Sequence, residues 1–166
     1  QFVYPSALRY FGHQQNLPVL WPGVFRYDGK LMVNSDRKLF EGVYDERGVL
    51  VQFEPSARFV PPRGLNTVYP MDGEGIFYSD NDNLFLKPPD SEPYLVASGI
   101  SVRYYHRDPM SANRLFLLNH QGVFLIRKSD GVWQFEGQEF RSEGAFNQVH
   151  VRDSKGRFWS ERGPGR

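Results

Sequence analysis

The chain has 166 residues, 40% hydrophobic and 23% charged, which suits one globular domain with a sizeable core. A net charge of +1, from 20 Lys and Arg against 19 Asp and Glu, leaves no basic field for phosphate neutralisation and argues against nucleic acid as a partner. The absence of cysteine excludes disulfides and thiolate zinc sites, and no apolar run approaches the length of a membrane span, so no direct membrane insertion of these residues is expected.

Aromatics reach 16%, with 14 Phe and 9 Tyr, beside 16 Gly and 12 Pro. That mixture favours short strands and frequent turns over helices. In chain order, a first unit runs Val24-Phe25-Arg26-Tyr27-Asp28-Gly29, then Leu31 and Val33, Ser35-Asp36 and Leu39-Phe40. A second repeats it as Val68-Tyr69-Pro70-Met71-Asp72-Gly73, then Ile76, Ser79-Asp80 and Leu84-Phe85. A third, looser copy runs from Val102 through the long turn Arg107 to Asn113, then Leu115-Phe116, Asn119-His120 and Val123-Phe124. Ser129-Asp130-Gly131 predicts a further hairpin between Val123–Ile126 and Val132–Phe135. The fourth copy is Val149 to Gly156, followed by Phe158-Trp159 and Gly163.

Gly29, Gly73, Asn113 and Gly156 follow one another at intervals of 44, 40 and 43 residues. A period in the low forties matches one four-stranded propeller blade. The physical unit is a strand closing at Asp-Gly, where Gly tolerates positive φ and Asp bonds back to the backbone. The expected fold is therefore all-β and β-propeller-like, with about four blade repeats of four-stranded antiparallel sheets in a single domain over 1–166. The stretches Ala7–Phe11 and Leu17–Trp21 are candidates for the outer strands that the last unit lacks. A piece of a larger propeller and a small closed ring both stay open.

The fourth copy resembles the two-component-regulator propeller repeat, whose pattern of Asp-x-x-Gly-x-hydrophobic-Trp, a short turn and Gly is met by Asp153, Gly156, Phe158, Trp159 and Gly163. The first copy is similar through Asp28-Gly29, Leu31 and Leu39-Phe40. The resemblance implies a sensing propeller of a bacterial signalling or surface protein, in an extracytoplasmic compartment.

No Gly-x-Ser-x-Gly elbow, phosphate loop or dinucleotide fingerprint is present, so no enzyme activity and no cofactor are expected. His13, His106, His120 and His150 share no ligand spacing, and no metal site is expected from them. Ser79-Asp80-Asn81-Asp82-Asn83 alternates oxygen donors but lacks the glycine and distant Glu of a calcium loop, and reads as a polar turn. The remaining candidates for recognition are aromatics beside arginine: Arg103, Tyr104, Tyr105 and His106, with Trp21, Trp133 and Trp159. Neighbours on a strand point opposite ways, so not all can face one site. The expected function is a non-catalytic module binding a protein or carbohydrate ligand. Val102 to Tyr105 also resembles a strand of fucose-binding propeller lectins, although Leu115–Leu118 stands where the acidic partner is expected. A carbohydrate-binding lectin and a structural assembly domain are the alternatives.

Overall fold

The computed structural model describes residues 23–56, 65–141, 146–153 and 155–162. All regular elements among them are strands, and every pairing is antiparallel. The chain divides into two compact units, 1–64 and 65–166.

The first unit holds one meander: β1 (Gly23–Tyr27), β2 (Lys30–Ser35), β3 (Lys38–Tyr44) and β4 (Leu50–Pro55), in that spatial order. Asp28 and Gly29 join β1 to β2 with φ of 49° and 73°. Two successive positive φ values give the turn twist that matches paired strands. Leu31, Val33, Phe40, Leu50 and Phe53 gather on one face. Met32 and Leu39 are buried as well, so β2 and β3 carry apolar contacts on both faces. The β3–β4 connection is closed by Asp45, whose Oδ1 accepts the amides of Arg47 (3.0 Å) and Val49 (2.9 Å).

The second unit contains β5 (Thr67–Met71), β6 (Gly75–Ser79), β7 (Asn83–Lys87) and β8 (Tyr94–Ser98), ordered β5-β6-β7-β8. It continues with β9 (Tyr104–Arg107), β10 (Arg114–Asn119), β11 (Gly122–Ser129) and β12 (Val132–Arg141), ordered β12-β11-β10-β9. A hairpin of β13 (Phe146–Arg152) and β14 (Phe158–Arg162) follows. The two four-stranded sheets share one core: Phe77, Leu84, Leu86 and Val96 from the first meet Leu115, Leu117, Phe124, Ile126 and Trp133 from the second. Phe116, Leu118, Val123 and Leu125 form a separate buried cluster on the other face of the second sheet. Every residue of β6 is buried, as is Leu115 to Asn119 of β10. A strand covered on both faces loses its polar alternation and becomes an apolar run, which is why β10 reads Leu-Phe-Leu-Leu.

The repeat read from the sequence falls on equivalent turns. Asp28-Gly29, Asp72-Gly73, Asp108–Asn113 and Asp153–Gly156 each link the first strand of a unit to its second. In the last two, the Asp carboxylate accepts backbone amides: Met110 to Asp108 Oδ1 (2.9 Å), and Lys155 and Arg157 to Asp153 Oδ1 (2.9 and 3.0 Å). The Ser129-Asp130-Gly131 hairpin also forms as expected, between β11 and β12. The count of sheets needs correction. Among the described residues three four-stranded sheets are present, not four, consistent with blade-like repeats, and the fourth copy is a two-stranded hairpin. Ala7–Phe11 and Leu17–Trp21 lie outside the described residues.

Candidate functional site

Four of the recognition candidates lie on or beside β9, the terminal strand of the second sheet in the 65–166 unit. Its register against β10 pairs Tyr104 with Leu118, Tyr105 with Leu117, His106 with Phe116 and Arg107 with Leu115. Strand alternation therefore splits the group. Tyr105 and Arg107 share the face of Leu115 and Leu117, which looks to the shared core. Tyr104 and His106 share the opposite face.

Tyr105 is held as a strut between the two sheets. Its ring stacks on Tyr69 at 5.2 Å and 16°. Its hydroxyl lies 3.2 Å from Thr67 Oγ1, which is 2.7 Å from Ser79 Oγ and donates to the Val102 carbonyl at 3.1 Å. With the Thr67 proton on Val102, both Thr67 lone pairs can accept from Ser79 and Tyr105, and the network closes. Burial pushes the Tyr105 phenol above its ordinary range, against the opposite pull of the hydrogen bonds to Thr67 and Ser79.

Trp133 is likewise taken up by packing. It is 1% exposed and meets Phe77 edge-on at 5.4 Å. Its Nε1–H donates to Glu74 Oε2 at 2.6 Å, and its backbone amide donates to the Tyr94 hydroxyl at 3.3 Å. Lys128 Nζ pairs with the same Glu74 oxygen at 3.0 Å. Glu74 sits in the β5–β6 turn, so one carboxylate fastens that turn to the β11–β12 hairpin. Neither Trp133 ring face is open to a ligand. Trp21 lies outside the described residues. Trp159 pairs through its backbone with Val151 in the β13–β14 hairpin, and its side chain is outside the description.

Arg103, Tyr104 and His106 remain at the surface, and Arg107 joins them. Tyr104 is 48% exposed, Arg103 and Arg107 are exposed, and His106 is half-buried. The Arg103 amide donates to the Leu118 carbonyl at 2.9 Å, which fixes the backbone as it enters β9. The outcome is a phenol ring and an imidazole on one face of β9, the Arg107 guanidinium on the other, and Arg103 just before the strand, beside a neighbour buried from Leu115 to Asn119. Along this sheet edge the Tyr104 phenol can stack on a flat ligand face, and the guanidinium groups can donate to carbonyl or carboxylate oxygens. Arg107 ends β9 instead of opening the long turn, so the run Arg-Tyr-Tyr-His-Arg in the sequence is the signal that adds it to the group.

The Ser79–Asn83 segment is a polar turn. Asp80 Oδ1 accepts the amides of Asp82 (3.0 Å) and Asn83 (2.8 Å), and Asn83 Nδ2 reaches both carboxylate oxygens. His120 is exposed in the β10–β11 turn. His13 and the side chain of His150 are outside the described residues.

One concave feature had no sequence signal. A shallow cleft of about 180 Å³ lies over β10, β11 and β12, lined by Arg114, Leu125, Arg127, Glu136, Gln138 and Glu139 with the Gly137 backbone. Two register breaks in the β11–β12 ladder build it. Bulge positions depend on how two strands pair, which no run of residues along β12 declares. Comparisons with family models, with curated proteins and with solved structures find no match for this chain.

Proposed function

We propose that this chain is a non-catalytic binding module of the β-propeller type, acting as the ligand- or partner-sensing part of a bacterial signalling or surface protein in an extracytoplasmic compartment. The observation that carries the reading is β9: Arg103, Tyr104 and Arg107 are exposed and His106 half-buried, on or beside a strand whose neighbour β10 is buried from Leu115 to Asn119. Recognition groups mounted on a packed scaffold lose little entropy on binding, which favours affinity. The resemblance of Val149–Gly163 to a sensor repeat, and three four-stranded sheets at the repeat period, support the same reading. The partner is a protein or a carbohydrate ligand presenting acceptor oxygens and a flat face.

The test uses the whole chain immobilised against host extract and against a glycan array, beside Arg103→Ala and Tyr104→Ala. A defined partner or glycan held by the parent and lost from both variants supports β9 as the site. Retention by both variants moves the site elsewhere. Turnover in a hydrolase panel, abolished by one His or Asp substitution, overturns the non-catalytic assignment.

A further inference from the structure

Strand β12 pairs with β11 through two interruptions within a few residues. Val123 faces Phe140 while Phe124 faces Gln138, so Glu139 is an extra residue. Leu125 faces Gly137 while Ile126 faces Phe135, so Glu136 is a second extra residue. A bulge releases one residue from the ladder and re-aims its side chain. Here both released residues are glutamates, and both line the same cleft. Protecting a sheet edge from pairing would need charge somewhere on the strand. It would not need two carboxylates brought to one concavity with two arginines.

The lining is neutral in sum, with Arg114 and Arg127 against Glu136 and Glu139. Arg127 Nη2 is paired with Glu136 Oε1 at 2.8 Å. Arg114 Nη1 stands 3.6 Å from Asp108 Oδ2, and its guanidinium lies 5.7 Å from the centre of the Phe116 ring. Arg114 Nε is buried with no hydrogen-bond partner among the described residues. Gln138 donates its amide to the Gln121 carbonyl at 3.0 Å, which leaves Oε1 as an acceptor. The cleft thus offers donors and acceptors side by side and no net charge. Its volume is below the roughly 300–1,000 Å³ typical of pockets for drug-sized molecules, so it holds one ring.

We infer that the β10–β12 cleft is a binding site for a neutral sugar ring, with Arg114 donating to, and Gln138 and Glu139 accepting from, its hydroxyls. Vicinal hydroxyls each need a donor and an acceptor, and planar amide, carboxylate and guanidinium groups supply both. A charged ligand would gain from one pair of side chains and be repelled by the other. The site is separate from β9, which lies at the opposite edge of the sheet.

The experiment is amide-resolved NMR titration of the whole chain with methyl α-mannoside, methyl α-glucoside, methyl α-fucoside and methyl β-galactoside, beside N-acetylneuraminic acid and glucosamine. The expected result is saturable shifts at Arg114 and Gly137–Glu139 with at least one neutral glycoside, with a dissociation constant of about 1 mM or weaker given so open a cleft. Glu139→Ala and Gln138→Ala, both at exposed positions, should each weaken that binding by about tenfold while leaving the remaining spectrum in place. Tyr104→Ala should leave it unchanged, so failure of the β9 reading and failure of this one are separately visible. Absence of saturable shifts at the cleft with every neutral glycoside overturns the inference, and so does tighter binding of either charged sugar.

Discussion

Replacing Glu74 with Ala removes the carboxylate that holds the β5–β6 turn to the β11–β12 hairpin. Two contacts are lost. The Trp133 indole N–H, on a ring 1% exposed, is left without its acceptor at 2.6 Å. An unpaired buried donor costs about 1–3 kcal/mol. The Lys128 ion pair, with side chains 28% and 23% exposed, adds up to about 1 kcal/mol after solvent screening. The expected loss is therefore about 2 kcal/mol, which lowers a urea midpoint by about 1 M at an m-value of about 2 kcal/mol/M. Trp133→Phe removes the donor itself. In that background Glu74→Ala should cost under about 1 kcal/mol, because only the ion pair remains to lose. The cycle is read by urea denaturation followed by circular dichroism, with tryptophan emission reporting Trp133 burial in the Glu74 single variant. A Glu74→Ala effect below about 0.5 kcal/mol, or additivity of the two substitutions, would refute the clasp.

The repeat alignment predicts that Gly29→Val and Gly73→Val, at φ of 73° and 74° with no atom near the added Cβ, each cost about 1 kcal/mol or more through backbone strain alone. Gly122→Ala should be far worse, because its Cβ would fall 2.0 Å from the Phe140 carbonyl oxygen; comparable denaturation midpoints for all three would contradict this geometry. Alkaline pH supplies another check. The Tyr78 phenol is pushed up to about 12, chiefly by burial and then by the Asp80 charge, and Tyr105 is raised too. Below pH 10 folded and unfolded chains both hold these protons. Above it the unfolded chain releases them first, so stability should fall from pH 10 upward, with a smaller fall in Tyr78→Phe and in Tyr105→Phe. Tyr105→Phe should also lower the denaturation midpoint while sparing ligand binding, whereas Tyr104→Ala should do the reverse; a ligand lost with Tyr105→Phe at unchanged stability would restore Tyr105 to the binding surface.

What the sequence alone determined is local. Asp28-Gly29, Asp72-Gly73, Ser129-Asp130-Gly131 and Asp153–Gly156 mark turns because positive φ and carboxylate-to-amide bonds are properties of a few consecutive residues. Their spacing gave the repeat, and the repeat gave all-β units of blade length. Leu115–Leu118 as an unbroken apolar run already implied a strand covered on both sides. The tertiary structure decided which aromatics could meet a ligand. Tyr104 and Tyr105 are neighbours of the same type, yet one is 48% exposed and the other is hydrogen-bonded between two sheets. That difference is set by which face of β9 meets Tyr69 and Thr67, residues more than thirty positions away. Trp133 is removed from the candidates for the same reason, since its partners Phe77 and Glu74 come from another sheet. The cleft is non-local in a stricter sense: Glu136 and Glu139 become lining residues only through the two bulges that form when β12 pairs with β11. Periodicity fixes a strand, but register and contact between sheets are settled by the packing of distant segments.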